Sequence, residues 1–146
     1  LLATPLLHAP DGDRLNLYLP RGKWIHFETG EVFHGPTTVR DYSLPLDRIP
    51  VFVGGRGIFV LRPGGGAPLQ AVIFPIKAGG DAYRFHWPDG SADSLIATRN
   101  TGWNPDTLSV IDPNSNRRVA HSTSATTGAI HFDLEAGRRY ELRGGN

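Results

Sequence analysis

The sequence has no cysteine and no methionine among its 146 residues. The absence of cysteine excludes disulfides, thiolate nucleophiles and cysteine-ligated zinc. No apolar run approaches the ~20 residues of a membrane-spanning helix, so the sequence predicts no contact with membrane. An excess of one charge is also missing, since 15 basic and 14 acidic residues nearly cancel. Without a basic stripe the chain has no electrostatic attraction for nucleic acid.

Glycine and proline are abundant instead, with 18 and 12 residues. This composition disfavours long helices and suits short strands joined by turns. Alternation of apolar and polar residues recurs along the whole chain, whereas helical spacing does not. The sequence therefore predicts an all-β fold made of two small antiparallel β-sandwich modules.

A short segment at residues 63–68 divides these two candidate modules. Its sequence, Pro-Gly-Gly-Gly-Ala-Pro, has the composition of a flexible linker. We therefore expect a first module at residues 8–62 and a second module at residues 67–146.

Two hairpins are predicted from their turn residues. Thr29-Gly30 lies between two short alternating runs of the first module and predicts a turn with glycine at positive φ. Near the end of the chain, alternating runs at residues 130–134 and 139–142 flank a glycine-containing turn. Because these two runs are adjacent in sequence, we expect them to form a terminal hairpin.

The strand around Trp24 carries large side chains on both faces. It follows an alternating run at residues 14–19 that is expected to stop at Pro20. Period-2 alternation places Trp24 and His26 on one face of the strand. Ile25 then lies on the opposite face, as expected for a strand inside a sandwich or at a junction of modules. We predict that Trp24 is mostly buried and that its indole N–H is hydrogen-bonded.

No residue pattern in the chain predicts catalysis. A glycosidase needs two carboxyl groups facing each other across the scissile bond, and the acidic residues here fall mostly at predicted turns or on polar strand faces. None of the six histidines has the i, i+4 spacing of a zinc-binding helix. His26 and His34 could be cross-strand neighbours in the first hairpin, and a pair without a metal is expected there rather than a metal site. We therefore expect no catalytic residue, no cofactor site and no metal site.

Two tryptophans are candidates for contact with carbohydrate. Sugars stack on exposed aromatic faces, and Trp103 lies in a predicted loop, where binding residues concentrate. Trp87 ends an alternating run. The alternative for both side chains is packing against the core of the module, to which a tryptophan contributes a large apolar area.

Several motifs of the first half resemble one enzyme family. Residues 18–24 (Tyr-Leu-Pro-Arg-Gly-Lys-Trp) and 27–31 (Phe-Glu-Thr-Gly-Glu) are followed by residues 46–53 (Leu-Asp-Arg-Ile-Pro-Val-Phe-Val). In order and spacing these motifs resemble the segment that follows the catalytic barrel in family 31 glycoside hydrolases. By the same resemblance, residues 1–7 correspond to the connection between barrel and sandwich.

The resemblance implies a parent enzyme of which this chain is one part. Such a parent is a retaining α-glycosidase, similar to α-glucosidases and α-xylosidases, whose catalytic Asp residues lie on a (β/α)₈ barrel. The chain then corresponds to the proximal and distal β-sandwich modules, as a fragment without the catalytic residues. Its partner is the barrel of the parent chain.

Three functions follow from these observations as hypotheses. The first is a non-catalytic accessory region that packs on a barrel and stabilises it. This hypothesis predicts an exposed apolar patch on the first module, with Leu6 and Leu7 as candidates. The second is an autonomous carbohydrate-binding module, and the third is a complete small enzyme, which requires a cleft with two facing carboxylates.

Overall fold

The computed structural model describes residues 2–3, 14–43, 49–76, 81–99, 103–104 and 106–144. In this part of the chain the backbone forms thirteen strands and no helix, which confirms the all-β prediction. None of these residues belongs to a helix that could cross a membrane. The strands are β1 (Leu2–Ala3), β2 (Arg14–His26), β3 (Val32–Ser43), β4 (Val51–Val53), β5 (Ile58–Leu61), β6 (Gln70–Ile73), β7 (Asp81–Phe85), β8 (Ser94–Thr98), β9 (Ser109–Asp112), β10 (Arg117–Val119), β11 (Ser122–Thr123), β12 (Ile130–Asp133) and β13 (Arg139–Arg143).

These strands form three sheets, which we call the first, middle and outer sheets. The first sheet has the strand order β1-β4-β2-β3, and the middle sheet has the order β11-β12-β6-β5. The outer sheet has the order β10-β9-β13-β8-β7. Among the described strands the pairing is antiparallel, apart from β13 with β8, which is parallel.

Strand β2 continues through Pro20, where the sequence pattern alone predicted that it would stop. Its register with β3 shifts between Leu19 and Gly22, as in a β-bulge. The shift lets Leu19 and Trp24 pack in one apolar cluster, although their odd spacing would place them on opposite faces of a regular strand. Opposite the bulge, a Cβ added to Gly35 would lie 1.9 Å from the Pro20 carbonyl oxygen, so only glycine fits there.

The middle and outer sheets form a sandwich around the largest apolar core. Alternate residues of each sheet point inward, as expected for two facing sheets. Phe132 of the middle sheet and Tyr140 of the outer sheet meet with their ring centroids 4.9 Å apart. Other buried members of this core are Ile58, Ala71, Ile73, Ile96, Leu108, Val110, Ile130, Leu134 and Leu142.

The middle sheet is also apolar on its second face. There Val72 and Phe74 are buried in a cluster with Ile25 and Val53 of the first sheet. The three sheets are therefore layered, with the middle sheet between the other two. For this reason β5 carries apolar residues at successive positions: Ile58 is buried, and Phe59, Val60 and Leu61 are half-buried.

The predicted terminal hairpin is wrong. Strand β12 pairs with β6 in the middle sheet, whereas β13 pairs with β8 and β9 in the outer sheet. The turn between them crosses from one sheet to the other. Two hydrogen bonds fix the crossing: Glu135 N–H donates to the Tyr140 hydroxyl at 2.8 Å, and Gly137 N–H donates to the Ala92 carbonyl at 2.7 Å. A tyrosine hydroxyl bonded to the backbone a few residues upstream is typical of sandwich corners.

The glycine-rich segment at residues 63–68 is the loop of a hairpin between β5 and β6. Within it, Ala67 N–H donates to the Gly64 carbonyl, and the Arg62 guanidinium donates to the Ala67 carbonyl at 3.0 Å. Strand β5, which the sequence assigned to the first module, thus pairs with a strand of the second. We propose that the second module begins before β5, near Gly57, and the division into two modules stays a prediction.

Candidate functional site

The side chains around Trp24 lie on the faces of the strand that alternation predicted. Trp24 contacts the apolar cluster of Leu17, Leu19 and Phe52, whereas Ile25 lies in the cluster shared with the middle sheet. The indole Nε1–H donates to the Pro20 carbonyl at 2.7 Å, which confirms the predicted hydrogen bond.

The prediction of a mostly buried Trp24 needs correction, because its side chain is half-buried. One side of the ring lies against Gly54, where an added Cβ would come within 2.7 Å of the ring carbon Cε3. Its cross-strand neighbour is Phe33, on the edge strand β3 of the first sheet. The position of Trp24 next to this edge strand explains why its ring is only partly covered.

His26 is a buried histidine with defined partners. Its side chain is 6% exposed, and its ring stands edge-on to Phe52 with the centroids 5.1 Å apart. The Nδ1 atom accepts a hydrogen bond from Thr29 N–H at 3.1 Å, so this nitrogen carries no proton in the folded state. Burial lowers the pKa of His26, against a smaller opposing effect of Glu28 and Glu31.

His26 and His34, considered from the sequence as a cross-strand pair, are not neighbours in the sheet. His34 lies opposite Lys23, because the register places Ile25 opposite Val32. In the part of the chain that the structure describes, no group of three or more acidic or histidine side chains could hold a metal ion.

The two tryptophans proposed as carbohydrate contacts are both half-buried and both hydrogen-bonded to the protein. Trp87 Nε1–H donates to the Ser94 hydroxyl at 2.8 Å, and its ring packs edge-on against Phe85. Trp103 Nε1–H donates to the Gly128 carbonyl at 3.2 Å. Both rings pack against the core of the sandwich. Their N–H groups are therefore engaged, and contact with carbohydrate stays a prediction that concerns the ring surfaces alone.

Three carboxyl groups line a cleft of the second module that sequence analysis did not find. The cleft is formed by the β9–β10 hairpin and the β12–β13 corner, and its acidic residues are Asp112, Asp133 and Glu135. Arg138 contacts both Asp112, at 3.6 Å, and Glu135. A signal for it was present in the sequence, because Asp112 is followed by the turn residues Asn114 and Ser115, but such a turn is explained without a site.

Asp112 lacks the electrostatics of the general acid in a glycosidase pair. A general acid needs a raised pKa beside an ionised partner. Hydrogen bonds from the backbone N–H of Asn114, and then from Ser115, lower the pKa of Asp112, and the charge of Arg138 acts in the same direction. Asp112 is therefore a fixed anion in this cleft, held beside Arg138.

The junction between the first and middle sheets combines apolar and polar contacts. Lys23 Nζ donates to the Pro75 carbonyl at 2.8 Å, across the interface. The turn after β2 lies so close to the second module that a Cβ on Gly30 would be 2.5 Å from the Thr126 carbonyl oxygen. Gly30 has φ +74°, as the predicted turn requires.

Large apolar side chains are exposed mainly on the first module. Among the residues that the structure describes, the large hydrophobic residues exposed to solvent are Tyr18 (58%), Ile49 (56%) and Val32 (46%). All three precede β4. Leu6 and Leu7, the candidates named from the sequence, lie outside the described residues.

Comparison with known proteins bears on this first module. Residues 1–59 match the family model of the glycosyl hydrolase family 31 C-terminal domain. The match confirms the resemblance to family 31 over 59 of the 146 residues. No curated protein matches the chain, and no solved structure does.

Proposed function

We propose that this chain is a structural accessory region of an α-glycosidase-like glycoside hydrolase. In this role it packs on the catalytic (β/α)₈ barrel of the parent protein and stabilises it. The observation that carries the proposal is the match of residues 1–59 to the C-terminal domain of family 31. That domain is a non-catalytic part of such enzymes, so we expect the isolated chain to have no glycosidase activity.

The distribution of exposed apolar residues supports a docking role for the first module. Tyr18 and Val32 lie on the same face of the β2–β3 hairpin, since Tyr18 pairs with Thr38 and Val32 pairs with Ile25 on the face opposite the Trp24 cluster. The middle sheet covers only the part of this face near Ile25. Exposed apolar residues on the uncovered part of such a face are typical of interfaces between domains.

A binding experiment with the barrel tests this proposal. The catalytic domain encoded with this chain is produced separately, and its thermal midpoint is measured with and without the purified chain. We expect the chain to raise the midpoint and to form a complex in sedimentation. Tyr18→Asp should weaken the complex, whereas Ser122→Asp, an exposed position of the second module, should not. Equal effects of the two variants, or no complex with the wild-type chain, would contradict the proposal.

An activity assay tests the non-catalytic part of the proposal. The purified chain is incubated with a panel of aryl α- and β-glycosides, and no turnover is expected. Turnover that survives repurification and is abolished by Asp112→Asn or Glu135→Gln would show instead that the cleft is an active site. These substitutions retain the size of the side chains and remove the carboxylates that hydrolysis needs.

A further inference from the structure

The charged cleft of the second module has the properties of a small binding site. Its volume is about 320 Å³, at the lower end of the ~300–1,000 Å³ range of small-molecule pockets. Its lining contains no aromatic side chain, and Val119 and Ala120 are its apolar residues. Aromatic stacking therefore contributes nothing to recognition, and the charged side chains offer the hydrogen bonds that would orient an occupant.

One part of the cleft is held rigidly by its own contacts. Arg138 lies between Asp112 and Glu135 and forms ion pairs with both. Asp112 also accepts a hydrogen bond from Asn114 N–H at 2.9 Å, which fixes the carboxylate in the β9–β10 turn. Groups that are already oriented lose little conformational entropy when a ligand binds.

Another part of the cleft retains unused hydrogen-bonding capacity. Arg117 lies directly opposite Asp112 in the β9–β10 ladder, yet within the described residues Asp112 pairs with Arg138 instead. The Arg117 guanidinium thus keeps its five donors available. Asp133 accepts one hydrogen bond, from Gln70 Nε2 at 2.9 Å, so its second carboxylate oxygen remains available.

The balance of charge limits the chemistry of the ligand. The cleft is lined by Arg117, Arg118 and Arg138 and by the same number of carboxylates. An anion would meet the repulsion of the carboxylates, and a cation would meet that of the arginines. A neutral group with several hydroxyls can donate to the carboxylates and accept from the guanidinium at the same time.

We propose that this cleft binds one neutral sugar unit, through donors of Arg117 and acceptors of Asp133 and Glu135. The proposal does not depend on docking of the first module to a barrel. It also differs from binding at Trp87 or Trp103, because neither tryptophan lines the cleft.

The experiment is an amide NMR titration of the whole chain with glucose and with maltose, with glucuronate and inorganic phosphate as charged probes. We expect the neutral sugars to shift the signals of residues 115–120 and 133–138. Arg117→Ala and the isosteric Asp133→Asn should each weaken binding by about tenfold, as expected for lost charge-assisted hydrogen bonds. Arg84→Ala, on the opposite edge strand of the outer sheet, is the matched control and should leave the affinity unchanged.

The outcomes separate the proposal from its alternatives. The proposal is supported if the sugars shift only signals of the cleft and if both cleft variants weaken binding. The spectra of these variants must show that they are still folded. Shifts around Trp87 and Trp103 alone would place sugar binding at the tryptophans and overturn it. Absence of any shift, a response to glucuronate or phosphate alone, or an equal effect of Arg84→Ala would also overturn it.

Discussion

The first sheet and the sandwich of the middle and outer sheets bury their apolar residues in different ways. The sandwich encloses its own core, in which Ile73, Ile96 and Ile130 are at most 1% exposed. The first sheet instead buries one face partly against the middle sheet and leaves Tyr18 and Val32 exposed. A sheet that buries one face against a neighbouring sheet is stable only in its company, and its exposed residues indicate where a further neighbour would bind.

The largest effect should come from the core of the sandwich. Phe132→Ala removes a ring that is 2% exposed and contacts Tyr140. We expect a loss of about 3–5 kcal/mol in the free energy of unfolding. Because the first sheet packs on the middle sheet, its amide signals should be lost in urea together with those of the sandwich.

The matched variant in the first sheet is Phe52→Ala, whose side chain is fully buried. It should destabilise the first sheet by a similar local amount, and the sandwich should keep its own urea midpoint. If the midpoint of the sandwich falls by the same amount, the two regions unfold as one unit. The contrast between a self-sufficient sandwich and a dependent sheet would then be wrong.

Trp24→Ala should have a smaller effect. A buried tryptophan would cost ~3–5 kcal/mol, but the half-buried ring should cost about half of that. Urea unfolding followed through first-sheet amide signals measures the loss. A loss well below ~1 kcal/mol, combined with weaker binding of oligosaccharide, would show that the ring serves as a platform for sugar.

Tyr140→Phe tests the corner that joins the two sheets of the sandwich. The substitution keeps the ring in the core but removes the hydroxyl that accepts from Glu135 N–H. A backbone donor left without its partner should cost about 1–2 kcal/mol. The midpoint of the sandwich should fall, and the dependent first sheet should be lost no later than the sandwich. An unchanged midpoint would mean that water replaces the hydroxyl.

Histidine titration should distinguish the two regions by pH. Burial lowers the pKa of His26 in the first sheet and that of His131 in the middle sheet. As the pH falls, the histidines of the unfolded chain bind protons near their ordinary pKa of about 6.5, before those of the folded chain do. Stability is therefore full above this pH and falls as the pH drops through the lowered folded pKa values.

Substituting each histidine separately shows which region owes its pH-dependent stability to which side chain. His26→Gln should flatten the pH dependence of the first-sheet midpoint, and His131→Gln that of the sandwich, in urea unfolding at pH 7.5 and 5. A pH dependence of the first sheet that survives His26→Gln would contradict the assignment.

The sequence predicted the local pattern of the fold but not the pairing of distant strands. Alternation identified the two faces around Trp24, because a strand's side-chain period depends only on neighbouring residues. The crossing at Glu135 was missed because it depends on Tyr140 and Ala92, which a local pattern cannot relate to it. The same limit explains why Pro20 was taken as a strand end, since Gly35 on the facing strand makes room for the bulge.

The candidate site was predictable to a still smaller extent. Trp87 and Trp103 were selected by residue type, and the structure gives both N–H groups partners within the protein. The cleft was missed because Asp112 and Arg138 are far apart in sequence and are joined only by the pairing of β9 with β13.

The position of β13 has a consequence for the synthesis of the protein. This strand lies at the centre of the outer sheet, between β9 and β8. The first sheet is complete once residue 53 has left the ribosome, whereas β8 and β9 must wait, each unpaired on one side, for residues 139–143 to emerge. During that interval the inner faces of the sandwich are exposed, and interrupted translation should produce a chain prone to aggregation.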